Sequence, residues 1–240
     1  MTCDSPASYP THFATNGVAI FEHALTARDL ERMAVAFAAS GTTAGARQDA
    51  LPPDLIEWLS GHPVLAELSN RLAGATARLV RVIAFDKSAA ANWFVPWHQD
   101  RSIAVLRQVE CAGFDNWTIK DGFIQVEPPV AILEQMVTLR VHLDDINEDN
   151  GPLEVLPGSH RGGRLARAAV ADAVTQGKPL LCLAAQGDIL AMRPLILHRS
   201  QRARVAARRR VLHLEFATTP LAPGLEWSLP SSGLAPIGTG

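Results

Sequence analysis

From residue 78 onward the chain is a succession of short β-rich runs, each closed by a glycine or proline turn. That pattern restricts it to folds assembled from many brief strands. The runs are R-L-V-R-V-I-A-F (78–85), V-T-L-R-V-H-L (137–143), P-L-L-C-L (179–183), D-I-L-A-M (188–192) and R-V-L-H-L-E-F (210–216). Turns fall at N-G-P (150–152), P-G-S (157–159) and Q-G-D (186–188). The N-terminal third reads as helical. Thr26 and Asp29 form a capping signal, followed by Leu30, Met33, Ala34 and Phe37 on one helical face. A second helix is expected to start near Pro63, with Leu65, Leu68 and Leu72 behind it. Helices first and strands afterwards predict a mainly β chain, a double-sheet jelly roll with helices packed on its outside. A chain of 240 residues, 48% hydrophobic and without repeat or linker, is expected to be one domain over 1–240. Its helical part covers about 1–77 and its β core about 78–220. Segment 101–136, with Phe114, Trp117, Phe123, Ile124 and Pro128-Pro129, interrupts the pattern and is expected to be a lid-like insertion.

Charge excludes several functions. A formal net charge of −2 gives no basic field for nucleic acid. No apolar run reaches the roughly 20 residues that a membrane helix needs. The first ten residues lack the basic and apolar regions of a secretory signal. Cys3, Cys111 and Cys182 are odd in number and widely spaced, so the expectation is a reduced, cytoplasmic protein.

The string W-H-Q-D at 97–100 carries the chemistry. Alternate strand residues share a face, so His98 and Asp100 can meet one ion while Gln99 points away. By itself H-x-D is a weak signal. A later histidine, His198 in L-H-R-S, follows an apolar run and precedes a basic strand. Two imidazoles and one carboxylate on one face of a metal make the triad of non-haem Fe(II) sites. Of the other histidines, His12, His23 and His62 read as surface or packing residues and His160 as part of a turn. His142 and His213 lie in strands and could face a cavity.

Phase selects one arginine from Arg208-Arg209-Arg210. Leu212, Leu214 and Phe216 form an apolar row, expected between the sheets, and Arg210 shares its parity. Arg209 belongs with Val211, His213 and Glu215 on the polar row that suits a cavity wall. Its guanidinium could grip a carboxylate near the metal. Ser200 shares parity with His198 and could add a hydroxyl. Arg140 shares parity with Thr138 and His142 and could supply a second cation. Arg202, Arg204 and Arg208 read as a solvated basic edge.

These strings resemble the phytanoyl-CoA dioxygenase-like family of Fe(II)- and 2-oxoglutarate-dependent oxygenases. The resemblance rests on F-x-x-x-G-V (13–18), W-H-Q-D (97–100), L-D-D-I-N-E-D-N-G-P-L-E-V-L-P-G-S-H (143–160), G-D-I-L-A-M (187–192), L-H-R-S (197–200) and R-R-V-L-H-L-E-F (209–216). It implies a double-stranded β-helix (jelly-roll, cupin-like) core. It further implies iron held by His98, Asp100 and His198, and 2-oxoglutarate held by Arg209 with Ser200 and Arg140. The activity implied is O2-dependent hydroxylation, or a related oxidation, of an unactivated C–H bond in a small organic metabolite, with release of succinate and CO2. An acidic residue at position 100, rather than a small one, argues against a halogenase. Trp93, Phe94, Trp97, Phe114, Trp117 and Phe123 are candidates either for a lid or for core packing. Arg101, Arg107 and Lys120 are candidate contacts for a carboxylate on the substrate. Two alternatives stay open: a cupin-like metal-dependent isomerase or hydrolase, and a non-catalytic binding module.

Overall fold

The structure, a computed structural model, describes residues 9–37, 45–47, 51–205 and 207–229. Cys3 and the first eight residues, on which the expectation about a signal rests, lie outside them. Two antiparallel sheets form the body. The first is six-stranded, in the order β1 (Val18–Phe21), β11 (Ile189–Met192), β8 (Val137–His142), β13 (Arg209–Ala217), β3 (Arg78–Lys87) and β2 (Gly45–Arg47). The second has β10 (Leu180–Cys182), β9 (Leu153–Leu156), β12 (Leu197–Ser200) and β4 (Val95–His98). Val18, Leu190 and Met192 of the first meet Leu153, Val155 and Cys182 of the second between the layers. This is the double-stranded β-helix, and the chain is mainly β.

Four helices cover the outer face of the first sheet: α1 (Tyr9–Asn16), α2 (Ala27–Ala34), α3 (Pro53–Ser60) and α4 (Pro63–Ala73). Local chemistry starts and stops them. Thr26 caps α2 in a reciprocal box with Asp29. Pro53 and Pro63 open α3 and α4, where a missing N–H leaves no bond unmade. Gly74 closes α4 at φ 74°. Their buried leucines, including Leu30, Leu55, Leu59, Leu65, Leu68 and Leu72, pack on Val82, Leu139, Val141, Leu212, Leu214 and Phe216. Each such side chain contributes roughly 1.5–3 kcal/mol by leaving water. The row Leu212, Leu214 and Phe216 therefore faces the helices, not the space between sheets as the sequence predicts. The principal core lies outside the barrel.

The N-terminal third is less purely helical than its periodicity predicts. β1 forms one edge of the first sheet, paired with β11, and β2 forms the other, paired with β3. Segment 101–136 folds as a third sheet, in the order β5 (Ile103–Val105), β7 (Phe123–Glu127) and β6 (Asp115–Lys120), followed by α5 (Val130–Glu134). Asp121 and Gly122, at φ 51° and 82°, make the tight turn between β6 and β7. Ile103, Val105, Val126 and Phe114 bury against Leu133, Met136, Leu195 and Trp227. The remaining helix, α6 (Arg167–Gln176), precedes β10. Among the described residues no helix is long and apolar enough to cross a membrane.

Candidate metal centre and anion pocket

Antiparallel pairing of β4 with β12 sets His98 directly opposite His198. Asp100 follows β4, its backbone N–H donating to Pro194 O at 2.9 Å. The three side chains converge, with potential ligand atoms all within 4.8 Å of one another. One Asp100 oxygen lies 3.7 Å from His98 Nε2 and the other 3.7 Å from His198 Nε2. Two metal bonds of about 2.1 Å span at most about 4.2 Å, so each of these pairs can share one ion. In both imidazoles Nδ1 lies 2.9 Å from the carbonyl two residues upstream, Pro96 O for His98 and Ile196 O for His198. Those bonds place the proton on Nδ1 and leave both Nε2 lone pairs facing Asp100.

Protonation suits a cation. Burial alone would raise the Asp100 carboxyl, but His198, His98, His213 and Arg81 outweigh it and hold it down at about 2. Burial lowers His198 to about 4, against the pull of Asp100. At neutral pH the carboxylate is charged and the His198 imidazole neutral, the forms a divalent ion requires. This donor set fits a divalent metal.

Gln99 fixes the centre from behind. It points away from the metal face, as alternation predicts. Its Nε2 donates to Gly163 O (2.8 Å) and Leu195 O (2.7 Å), and its Oε1 accepts from Leu165 N (2.9 Å). Trp97, one residue before His98, lies under the Arg199 guanidinium, whose carbon is 5.0 Å from the ring centroid. Phe114 packs in the satellite core and Phe94 is 47% exposed. The six aromatics do not form a common lid.

The inward row of β13 and its neighbours is polar. Arg209 is 4% exposed, and its register partner on β3 is Lys87, which is fully buried. Lys87 Nζ donates to Ser200 Oγ (3.1 Å) and Gln201 O (2.6 Å) and sits 5.1 Å from the Trp93 ring centroid. Ser200 Oγ donates to Gly151 O at 3.1 Å, and Arg209 Nη1 donates to the same carbonyl. Arg140 Nη1 lies 2.9 Å from His213 Nδ1. Arg209 Nε and Arg140 Nε are buried without a partner.

Burial, reinforced by Arg209, Arg140 and Arg202, lowers Lys87 to about 7. Burial lowers Arg209 to about 9, with Arg140 adding to the shift, so its guanidinium stays charged. Three buried basic groups side by side, two of them with an unfilled donor, are costly unless an anion joins them. A small dicarboxylate fits this pocket chemically. His142, lowered to about 3 chiefly by burial, is neutral on the same inward row.

Sequence reasoning missed Lys87 and Gly151, and of Gln99 it read the direction but not the hydrogen bonds it makes. Gly151 belongs to the N-G-P turn and has φ +72°. A Cβ there would come within 2.6 Å of Gln201 O and 3.2 Å of Lys87 Nζ. Of the three candidate substrate cations of the insertion, Lys120 is exposed on β6 and the two arginines are engaged elsewhere. Arg101 pairs with Glu127 at 3.0 Å, and Arg107 pairs with Glu226 at 3.0 Å. The expected basic edge is present in Arg204, 79% exposed, and in the partly exposed Arg208 paired with Asp86.

Comparison with known proteins adds three findings. The family model for phytanoyl-CoA dioxygenase (PhyH) matches residues 13–211. The L-proline trans-4-hydroxylase of Streptomyces griseoviridis is 32% identical over 101 residues, 42% of this chain and 30% of that protein. The matched stretch is therefore less than a third of that relative's length. Similar solved structures include AviO1 from Streptomyces viridochromogenes Tue57, with TM-score 0.65 and 20% identity, covering 93% of this chain and 100% of that one. EctD from S. alaskensis with 2-oxoglutarate and 5-hydroxyectoine gives TM-score 0.67 and 18% identity over 90% of this chain and 78% of that one. SnoK, a non-heme alpha ketoglutarate dependent carbocyclase from nogalamycin biosynthesis, gives 0.65 and 15% over 90% and 84%. At these identities the structural likeness speaks to fold.

Proposed function

The chain belongs to the phytanoyl-CoA dioxygenase family, and from that premise we propose that it oxidises an unactivated C–H bond of a small organic metabolite, as a single domain over 1–240. It is a non-haem iron dioxygenase that uses Fe(II), 2-oxoglutarate and O2. His98, Asp100 and His198 would hold the iron. Arg209 would grip the far carboxylate of 2-oxoglutarate, with Ser200, Lys87 and Arg140 completing the anion pocket. The observation that carries this reading is the pairing of two sites in one barrel. Two imidazoles with fixed Nδ1 protons converge on a carboxylate, and a buried cluster of cations with orphaned N–H groups lies on the facing sheet.

When bound, iron with 2-oxoglutarate and O2 supplies the oxidising equivalent, and succinate and CO2 leave. The chain supplies position and field. Backbone carbonyls of Pro96 and Ile196 orient the imidazoles, and Gly151 O aims both Arg209 and Ser200. Buried donors aimed in advance at an anion need no reorganisation when it arrives. The proline hydroxylase among the relatives favours hydroxylation as the outcome.

The test is direct. Purified protein should form succinate from 2-oxoglutarate only with Fe(II) and O2, and Asp100→Ala should abolish this. Arg209→Ala should weaken 2-oxoglutarate binding in anaerobic calorimetry while leaving iron bound. Succinate formation indifferent to a chelator would refute the reading.

A further inference from the structure

The inward faces of β3, β8 and β13 carry charge at two levels, and the cosubstrate pocket uses only one. Lys87 and Arg209 mark the first level. Six residues further along β13, roughly 20 Å in an extended strand, Glu215 stands beside Arg81 on β3 and Thr138 on β8. The metal centre is within electrostatic reach of this second level, because His213 and Arg81 both act on Asp100; Arg140, opposite His213, lies between the levels and interacts with Asp100, His198 and Lys87 alike.

The second level is only partly satisfied. Arg81 Nη1 donates to Glu215 Oε1 at 3.2 Å, and His213 Nε2 lies 3.4 Å from the same oxygen. Among the described residues Glu215 Oε2 and the other Arg81 side-chain N–H groups have no partner. Thr138 Oγ1, on a residue 1% exposed, has none either. By contrast, Arg208–Asp86, Arg210–Asp144 and Arg199–Glu154 are each closed by two donors on two oxygens. A buried ion pair is tolerated when its remaining lone pairs and protons are filled, and a structural pair would be expected to close as those three do.

We propose that Arg81 and Glu215 dock the substrate, and that the substrate is a small amino acid bound as its zwitterion, carboxylate on Arg81 and ammonium on Glu215. One carbon separates the two charges of an α-amino acid, which matches an acid and a guanidinium in contact. Thr138 stands at the same level to take a third hydrogen bond. Arg81 and Glu215 together are neutral, so a zwitterion adds no net charge to the buried site whereas a plain amine or plain acid adds one, and the pair discriminates by that penalty. This inference rests on the iron-centre reading of His98, Asp100 and His198.

The experiment uses the full chain loaded with Fe(II) and 2-oxoglutarate. The probes are the twenty proteinogenic L-amino acids, with pyrrolidine and cyclopentanecarboxylate as the proline analogues lacking carboxylate and ammonium, and the matching amine and acid of any other binder. Anaerobic calorimetry reads binding, and aerobic succinate formation reads coupling. At least one amino acid should bind and raise succinate formation above the substrate-free rate. Its amine and acid analogues should bind roughly tenfold or more weakly. Glu215→Gln and Arg81→Lys should each weaken the amino acid by a similar factor and leave 2-oxoglutarate affinity within about twofold. If either variant fails to fold, the analogue series on the unmodified chain decides. The proposal is overturned if no amino acid binds, if an amine or acid binds as well as the zwitterion, or if both folded variants keep its affinity. Wild-type protein that binds no 2-oxoglutarate would instead overturn the iron reading itself.

Discussion

Lys87 should make 2-oxoglutarate binding a proton-uptake reaction above neutral pH. Its ammonium is fully buried beside Arg209 and Arg140, and its pKa is lowered from 10.5 to about 7. The unfolded chain therefore holds this proton more tightly than the folded one. Below pH 7 both states are protonated and the folded protein bears the whole penalty, about 5 kcal/mol for a gap of about 3.5 units. Between pH 7 and 10.5 only the unfolded chain keeps the proton, so stability rises with pH, and above that range the penalty is gone. A dianion in the pocket reverses the preference and restores the charge on Lys87. Binding should then take up about half a proton at pH 7 and about 0.9 at pH 8. Affinity should be flat below pH 7 and fall above it, by up to about tenfold per unit. Anaerobic calorimetry of 2-oxoglutarate into Fe(II)-loaded protein, in buffers of different ionisation enthalpy, reads the uptake. Lys87→Met should abolish uptake and flatten the profile. It should also stabilise the cosubstrate-free protein at pH 6–7 by about 3 kcal/mol, the penalty less two hydrogen bonds of about 1 kcal/mol each. A wild-type protein that takes up no proton at pH 8 and keeps its affinity to pH 9 would refute the assignment of Lys87 to the pocket.

Two further substitutions test the supports of the site. Gly151→Ala places a Cβ in a left-handed conformation, 2.6 Å from Gln201 O; strain and overpacking should cost about 2–4 kcal/mol in thermal unfolding and weaken 2-oxoglutarate binding, because the carbonyl that aims Arg209 must move. Gln99→Leu removes two donors and an acceptor behind His98 and Asp100; iron affinity should fall roughly 10–100-fold in a chelator competition, as for other supports behind metal ligands.

What the sequence reveals here follows the range of the interaction. Strand alternation is local, so W-H-Q-D announces that His98 and Asp100 share a face, and R-R-R-V-L-H-L-E-F announces that Arg209 does not share one with Leu212. The same parity, applied to R-L-V-R-V-I-A-F-D-K, would have turned Lys87 inward with Arg81, Ile83 and Phe85; a lysine at a strand end simply reads as solvated. Which layer an apolar row faces is not local. Leu212, Leu214 and Phe216 are legible as buried, but only the docking of α2, α3 and α4 shows against what. Short edge strands such as V-A-I-F at 18–21 carry too few residues for a period to emerge. Gly151 contributes a carbonyl oxygen, which no residue type encodes; the sequence shows only the φ its turn demands.

Placing the main core outside the barrel explains how the interior can hold so many charges. The apolar mass that stabilises the chain lies between the first sheet and the helices. The inward row of β13 is thus relieved of packing and free to carry Arg209, His213 and Glu215 alongside Val211, at two-residue steps of about 7 Å from one member of the row to the next. The proposed iron ligands come instead from β4, from the second residue after it and from β12 of the second sheet. Chemistry and recognition are in this way borne by different sheets. Changes at position 81 or 215 can alter what is recognised without moving His98, Asp100 or His198, because those three are held by Pro96, Ile196, Pro194 and Gln99, none of which belongs to the first sheet. The substrate contacts on the first sheet can therefore vary while the iron ligands on the second keep their geometry.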